Sequence, residues 1–380
     1  MSFISTWLNE QSQAKEAAIM VEDTLVQLKI RQKVLDQFMP PKIYDERDFV
    51  AYVVEKLSLV ASVVAYGAEL PTAQVGKFSK INAELFKAGL AFDYPEEKQW
   101  AMKKAIKEAA ARNLTVQSQV LPNGTILKGA NNTLADYLFN TVADMAAALT
   151  DLNYLLTAQV AQFGYVNYVD PRTSATLSID YRDPMATYGY APNGVFAHFP
   201  PDLTGTPQAW DQRTTANGLQ NLEADVEQFR ETNGFPPSAI LMPHKLRLDL
   251  RNQENTRRAW SSISNTSAAT VVSNAGIIST TMLERLLDDM SLPPIIICDE
   301  MYHDIDGSKI RFFNADRYVF LTKGMGEQAL GPTLENDGAA GPYVATRQIR
   351  EFPPQDATQG VATMLPVVPN PKLLFSRRAK

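Results

Sequence analysis

The 380-residue sequence predicts an α+β fold made of several lobes. Three observations predict it. Residues 133–164, "TLADYLFNTVADMAAALTDLNYLLTAQVAQFG", carry one unbroken apolar stripe at helical spacing. Residues 49–95 and 342–377 read as extended, strand-like text, and residues 215–330 alternate between short helical and short strand patterns.

Each element follows from its local sequence. Residues 1 to about 40 form a polar arm in which Leu25, Leu28 and Leu35 recur at helical spacing until Pro40-Pro41 stops the pattern. Such an arm has too little apolar surface to fold alone, so it lies on something or is removed. From Phe49 to about Pro95 the text is a long, charged ribbon with a turn region around Gly67 to Gly76 and no visible core of its own. "PEEKQWAMKKAIKEAAARN" then begins a helix, with Pro95 ahead of two acids that suit the positive end of the helix dipole.

The long helix comes next. Leu134, Leu138, Val142, Met145, Leu149, Leu152, Leu156, Val160 and Phe163 advance by three or four residues, with Thr133 placed to cap the helix and Gly164 to end it. A helix of about 30 residues spans on the order of 45 Å at roughly 1.5 Å per residue, which implies an elongated subunit. Its acids, Asp136, Asp144 and Asp151, fall opposite the stripe with no Lys or Arg beside them. That face is either simply solvated or an acidic surface turned toward contents that should not stick to it.

In the alternating region, Leu219, Leu222, Val226 and Phe229 mark an amphipathic helix ended by Asn233-Gly234, and "PPSAILMP" is a strand. "HKLRLDLRNQENTRRAW" and "STTMLERLLDDM" read as helical, "PPIIICDEMY" as a strand, and Asp306-Gly307 as a tight turn before "SKIRFF" and "DRYVFLTKG". The chain ends in two further extended segments, "GPYVATRQIREF" and "VATMLPVVPNPKLLFSR".

Composition narrows the function. A net charge of −6 argues against a sequence-independent grip on nucleic acid, and local bases such as Arg251, Arg257 and Arg258 read as solvated or subunit-contacting charges. The single cysteine, Cys298, excludes an internal disulfide framework and suits a reducing compartment. The N-terminal residues lack the basic start and apolar core of a signal peptide, and no apolar run is long enough to span a membrane, so synthesis in the cytosol without membrane association is expected.

Reactive constellations are missing. His198, His244 and His303 stand far apart without zinc-ligand spacing, and there is no GxSxG elbow, dinucleotide fingerprint or P-loop. The one concentration of acids, Asp299, Glu300, His303, Asp304 and Asp306, reads either as a cation or acid–base site or as the tip of a hairpin. Cys298 ends "IIIC", the setting of a buried, inert thiol. No catalytic residue, metal ligand or cofactor site is expected. A long chain with a stiff helix, arm and ribbon but no reactive group is suited to contacts with copies of itself.

This order of segments resembles the tailed-phage major capsid proteins with the Hong Kong 97 (Johnson) fold, and more narrowly the lambda-type major head protein (capsid protein E) family. The resemblance rests on the long helix running into "YVNYVDPRTSATLSIDYRDP", on "SAILMPHKLRLDLRNQENTRRAW", and on "GPYVATRQIREF" followed by "TMLPVVPNPKLLF". It implies an N-terminal arm at 1–48, an extended E-loop hairpin at 49–95, and a P-domain at 96–214 whose spine helix is 133–164. An A-domain at 215–330 and returning P-domain strands at 331–380 complete the assignment.

The resemblance further implies self-assembly as hexamers and pentamers into an icosahedral shell around double-stranded DNA, in a virion made in the bacterial cytoplasm. Lys77, Lys80, Glu84 and Lys87 become E-loop contacts to neighbouring subunits, and Asp136, Asp144 and Asp151 an inward acidic face. A portal protein, scaffolding protein, maturation protease and decoration protein are partners implied in the same way. Some members of the wider fold form an isopeptide cross-link from an E-loop lysine, on which lambda-type relatives do not rely. Two other readings remain: an encapsulin-like compartment shell, and a metal-dependent enzyme using the acids at 299–306.

Overall fold

The computed structural model describes residues 33–46, 48–54, 78–101, 104, 119–120, 126–127, 130–169, 174, 176–182, 200–263, 278–303, 308–350 and 355–380. A single 3-10 turn at Val34–Gln37 leads into β1 (Pro41–Ile43), and β2 (Asp48–Val54) pairs antiparallel with β3 (Phe78–Glu84). Next come β4 (Phe86–Tyr94), a helical turn at 96–101, and the short pair β5 (Gln119–Val120) and β6 (Ile126–Leu127). The long helix is α1 (Ala130–Phe163), followed by the hairpin β7 (Tyr165–Val169) and β8 (Thr176–Asp180).

The α/β lobe runs through α2 (Gly218–Asn233), β9 (Ala239–Met242), α3 (His244–Asn252), α4 (Glu254–Ile263), α5 (Thr280–Asp289) and β10 (Ile295–Ile297). It continues with the hairpin β11 (Met301–His303) and β12 (Lys309–Arg311), then β13 (Arg317–Leu321). The remaining strands are β14 (Glu327–Gly331), β15 (Tyr343–Arg350), β16 (Gln355–Val367) and β17 (Ser376–Arg378).

Two sheets organise these elements. The long sheet is centred on β16, thirteen residues long, which pairs antiparallel with β4, β14 and β15. β4 covers Asp356 to Met364, while β15 and β14 pair with Gln355 to Val361 and Thr363 to Val367 respectively. A strand has two edges, so β14 and β15 lie end to end along the edge that β4 leaves, with residues 332–342 looping out between them. β1 adds in parallel outside β14. The lobe sheet has the order β10-β9-β13-β17, and all four residues of β9 are buried, as expected of a central strand covered on both faces.

α1 lies against the long sheet and reaches into the lobe. Met145, Leu149, Leu156 and Val160 of the stripe are buried, with Leu149 packed beside Ala88, Ala362 and Met364. Gly360 permits this close seating: a Cβ there would stand 2.5 Å from Cγ of Met145. At its far end, Gln162 accepts the Asn314 amide N–H (2.6 Å) and donates to the Phe312 carbonyl (2.9 Å), and Tyr154 meets the Phe312 ring edge-on. Gly164, at φ 72°, ends the helix with its amide on the Val160 carbonyl, as its sequence position predicts. Thr133 does not cap α1. The helix begins one turn earlier at Ala130, a strong helix former, so Thr133 falls inside the first turn.

The segment boundaries differ from the expectation in three places. The stretch 86–94, expected within the ribbon, is a strand of the long sheet, because fully buried Leu85 seats it under Gly331, and Ala88 and Tyr94 are buried beyond it. β14, expected at the end of the A-domain, belongs to the long sheet. β17, expected among the returning P-domain strands, completes the lobe sheet. The physical reason is that Phe375 stacks on Phe320 at 4.3 Å and Arg377 finds buried Asp225 of α2.

Candidate assembly surfaces

The arm is anchored where it meets the body. Leu35 and Met39 are completely buried, a contribution of roughly 1.5–3 kcal/mol each. Gly326 makes room for Met39, since a Cβ there would come within 2.4 Å of Met39 Cε and 2.8 Å of the Val367 carbonyl oxygen. Gln328 holds the turn: its Nε2 donates to Asp36 Oδ1 (2.7 Å) and to the Met39 carbonyl (2.9 Å), while its Oε1 accepts from Asn153 of α1 (3.2 Å). Burial raises the Asp36 pKa above its ordinary value, outweighing the Gln328 amide and the Lys33 backbone and charge that pull it down. Lys33 pairs with Asp151, and its ammonium lies 4.4 Å from the ring centroids of both Tyr154 and Phe312.

That contact bears on the acidic face of the spine helix. Asp144 is exposed, whereas Asp151 is matched by Lys33, a base that the helix's own sequence does not contain. Asp136 is a residue of α1 whose side chain lies outside the described residues. Among the ribbon residues, Lys77 lies outside the described residues, and Lys80 and Glu84 stand in β3 opposite Tyr52 and Asp48. Lys87 is not in that hairpin. It stands in β4 opposite Thr363, is exposed, and pairs with Glu335 of the 332–342 loop in its own chain.

Of the acids at 299–306, the described Asp299 and Glu300 are engaged with neighbouring protein groups. Asp299 pairs with Arg311 and accepts the first amide of α3, from His244, at 3.3 Å, so it serves a helix N-terminus. Glu300 faces the Cys298 thiol, and its carbonyl accepts from Phe312 N–H (3.2 Å). His303 pairs in register with Lys309 across the β11–β12 hairpin, and Asp304 and Asp306 lie outside the described residues. Among the described residues no group of three His, Cys, Asp or Glu side chains could hold a metal ion. Burial pushes the Cys298 thiol up to about 11, the Glu300 backbone and the Tyr154 hydroxyl pulling it down and the charges of Glu300 and Asp299 pushing it up, as for a structural thiol.

The lobe is locked by a buried charge. Asp225 of α2 accepts from Arg377 Nη1 (2.8 Å) and from the hydroxyl of Tyr318, which is fully buried and stacked on Trp210. Burial raises the Asp225 pKa in spite of both donors. Sequence reasoning singled out neither this lock nor the arm anchor. Only the helical spacing of Leu35 hinted at the second.

Comparison with known proteins places the architecture. No family model matches the chain, and no curated protein does. A solved structure from E. coli CFT073, assigned as a prophage capsid protein, aligns over 91 % of this chain and 92 % of its own with a TM-score of 0.50 at 13 % identity. A phage-related protein from Bordetella bronchiseptica RB50 aligns over 95 % and 96 % (TM-score 0.45, 11 % identity). The capsid of Myoviridae phage XM1 aligns over 88 % and 86 % (TM-score 0.42, 10 % identity). At 13 % identity the first likeness is one of fold, and it extends over nearly the whole of both chains. The architecture is the α+β Hong Kong 97-like capsid fold.

Proposed function

We propose that this chain is the major capsid protein of a tailed bacteriophage, assembling as hexamers and pentamers into an icosahedral shell around double-stranded DNA. The observation that carries the proposal is the long sheet with a 34-residue helix along it, in a fold shared end to end with a chain assigned as a prophage capsid protein. Geometry is the product of such a molecule. Neither a catalytic group nor a cofactor enters the reading, and the acids at 299–300 serve a helix end and a hairpin base.

The order of the segments supports membership of the lambda-type branch of that fold. In this reading the β2–β3 hairpin with Lys77, Lys80 and Glu84 overlaps a neighbouring subunit. Asp136 and Asp144 face the packaged DNA and repel it, so that DNA slides rather than sticks. Asp151 is assigned instead to the arm, since Lys33 neutralises it. A portal protein, and scaffolding, protease and decoration proteins where the phage encodes them, complete the virion.

Sedimentation velocity of the purified full chain tests the proposal. Species far larger than the 42.1 kDa monomer are expected, alone or with the neighbouring phage genes co-expressed. A monomer that persists under both conditions refutes it. Changing Asp136 and Asp144 to Asn is expected to retard DNA filling while leaving empty shells intact, and unchanged packaging rules out the acidic-lining role.

A further inference from the structure

We propose that β4 of one copy pairs antiparallel with β4 of a second copy across a two-fold axis at Leu90, joining the two long sheets into one. The inference rests on the shell reading and supplies it with a contact between neighbouring rings.

The outer edge of β4 is open. Among the described residues β4 pairs with β16 alone, in an unbroken register from Phe86 to Tyr94. The unpaired N–H and C=O groups along the other edge of so long a strand are a template for a further strand. The opposite side of the sheet is protected: β15 carries a bulge between Gln348 and Arg350, and β1 is three residues long and holds a proline and a lysine. The centre of β4 has neither protection. Residues 88–92, "AGLAF", carry no charge, Gly89 and Ala91 are exposed, and Phe92 is 39 % exposed.

The sequence of the strand selects its partner. "FKAGLAFDY" laid antiparallel to itself about Leu90 sets Lys87 opposite Asp93, Gly89 opposite Ala91, and Phe92 opposite the small Ala88. A shift of register to either side parts the two charges. Lys87 and Asp93 point to the same face of the sheet, away from α1, because the alternate residue Ala88 packs beside Leu149. Both are exposed. Asp93 forms no ion pair among the described residues, and Lys87, though paired with Glu335, remains half-exposed on an ammonium with three donors.

The symmetry also suits a shell. An axis normal to the sheet keeps α1 of both copies on one side, as a wall with an inside and an outside requires. Rings close through two different surfaces of the chain, whereas a two-fold contact uses one self-complementary surface, so this edge is free to join ring to ring.

Cysteine cross-linking of the full chain tests the contact. Residue 90 of one copy faces residue 90 of the other with Cβ atoms about 4.5–5.5 Å apart, whereas residue 92 lies roughly 13 Å along the strand from its counterpart. Under mild oxidation Leu90→Cys is expected to give about tenfold more disulfide-linked dimer than Phe92→Cys, with the parent, whose Cys298 is buried, as background. The charges give an independent readout. On a common Glu335→Gln background, Asp93→Lys is expected to lower the assembled fraction in sedimentation velocity about tenfold, since the axis repeats each pair, and adding Lys87→Asp is expected to restore it. Lys87 and Asp93 are exposed, so these variants carry the test if Leu90→Cys does not fold. Complete shells without a cross-link at residue 90 overturn the contact, leave the shell reading intact and assign the edge to a different strand. Equal cross-linking at 90 and 92, or an Asp93→Lys variant that assembles normally, overturns it as well. A chain that cross-links at 90 yet builds nothing beyond a dimer refutes the shell reading alone, and a monomer without a cross-link refutes both.

Discussion

Replacing Gly360 with Ala tests whether the spine helix is seated on the sheet as closely as the structure has it. The added Cβ would stand 2.5 Å from Cγ and 2.6 Å from Sδ of Met145, and 3.3 Å from Cδ1 of Leu149. Carbon atoms in contact prefer about 3.5–4.0 Å, so the helix or the Met145 side chain has to give by roughly 1 Å. Met145 is fully buried against β16 and has no solvent to swing into. Overpacking of this kind costs about 1–3 kcal/mol, and the flexibility of methionine places Gly360→Ala near about 1–2 kcal/mol. Met145→Ala alone opens a cavity at a cost of about 2–5 kcal/mol. In the double variant the new methyl group occupies part of that cavity, so the pair is expected to cost less than Met145→Ala by itself. Urea unfolding of the two single variants and the double variant measures the coupling directly. A neutral Gly360→Ala, or costs that simply add, would refute the close seating.

The arm anchor and the lobe give three further predictions. Gln328→Leu strips partners from Asp36, the Met39 carbonyl and Asn153 at once, at about 1–3 kcal/mol per orphaned group, and should lower the melting temperature more than any exposed substitution. Asp36 has a folded pKa raised above the unfolded value of 3.8, so its contribution to stability is complete below that value and is lost as pH rises through the raised one. Asp36→Asn should level this slope in melting curves taken from pH 3.5 to 7, and an unchanged slope would assign it to another group. Cys298, buried with its thiol pushed up to about 11, should resist a thiol reagent at pH 8 in the folded protein and react fully in urea; rapid labelling of the native chain would contradict its burial.

What was legible in the sequence is what repeats locally. The spine helix declares itself by a stripe many turns long and by Gly164 at its end, and α2 by Leu219, Leu222, Val226 and Phe229, all buried in the structure. β9, a short apolar run between prolines, is equally plain. Contacts between distant segments leave no local period. The pairing of Lys33 with Asp151 spans 118 residues, and nothing in the helix sequence reports that a base from the arm will cover that acid. The place of β17 is illegible for the same reason: three residues carry no pattern, and their position is decided by Asp225 and Phe320, far away in sequence. Of the expected contact residues, Lys87 reads as part of the ribbon because its strand alternates like the rest, whereas buried Leu85 marks where the chain enters the sheet.

Negative-stain electron microscopy of the purified full chain, alone and co-expressed with the genes that flank its own, tests the central claim most directly. Uniform closed shells, or rings of five and six subunits, are the predicted result. A population of single subunits in both preparations would contradict it.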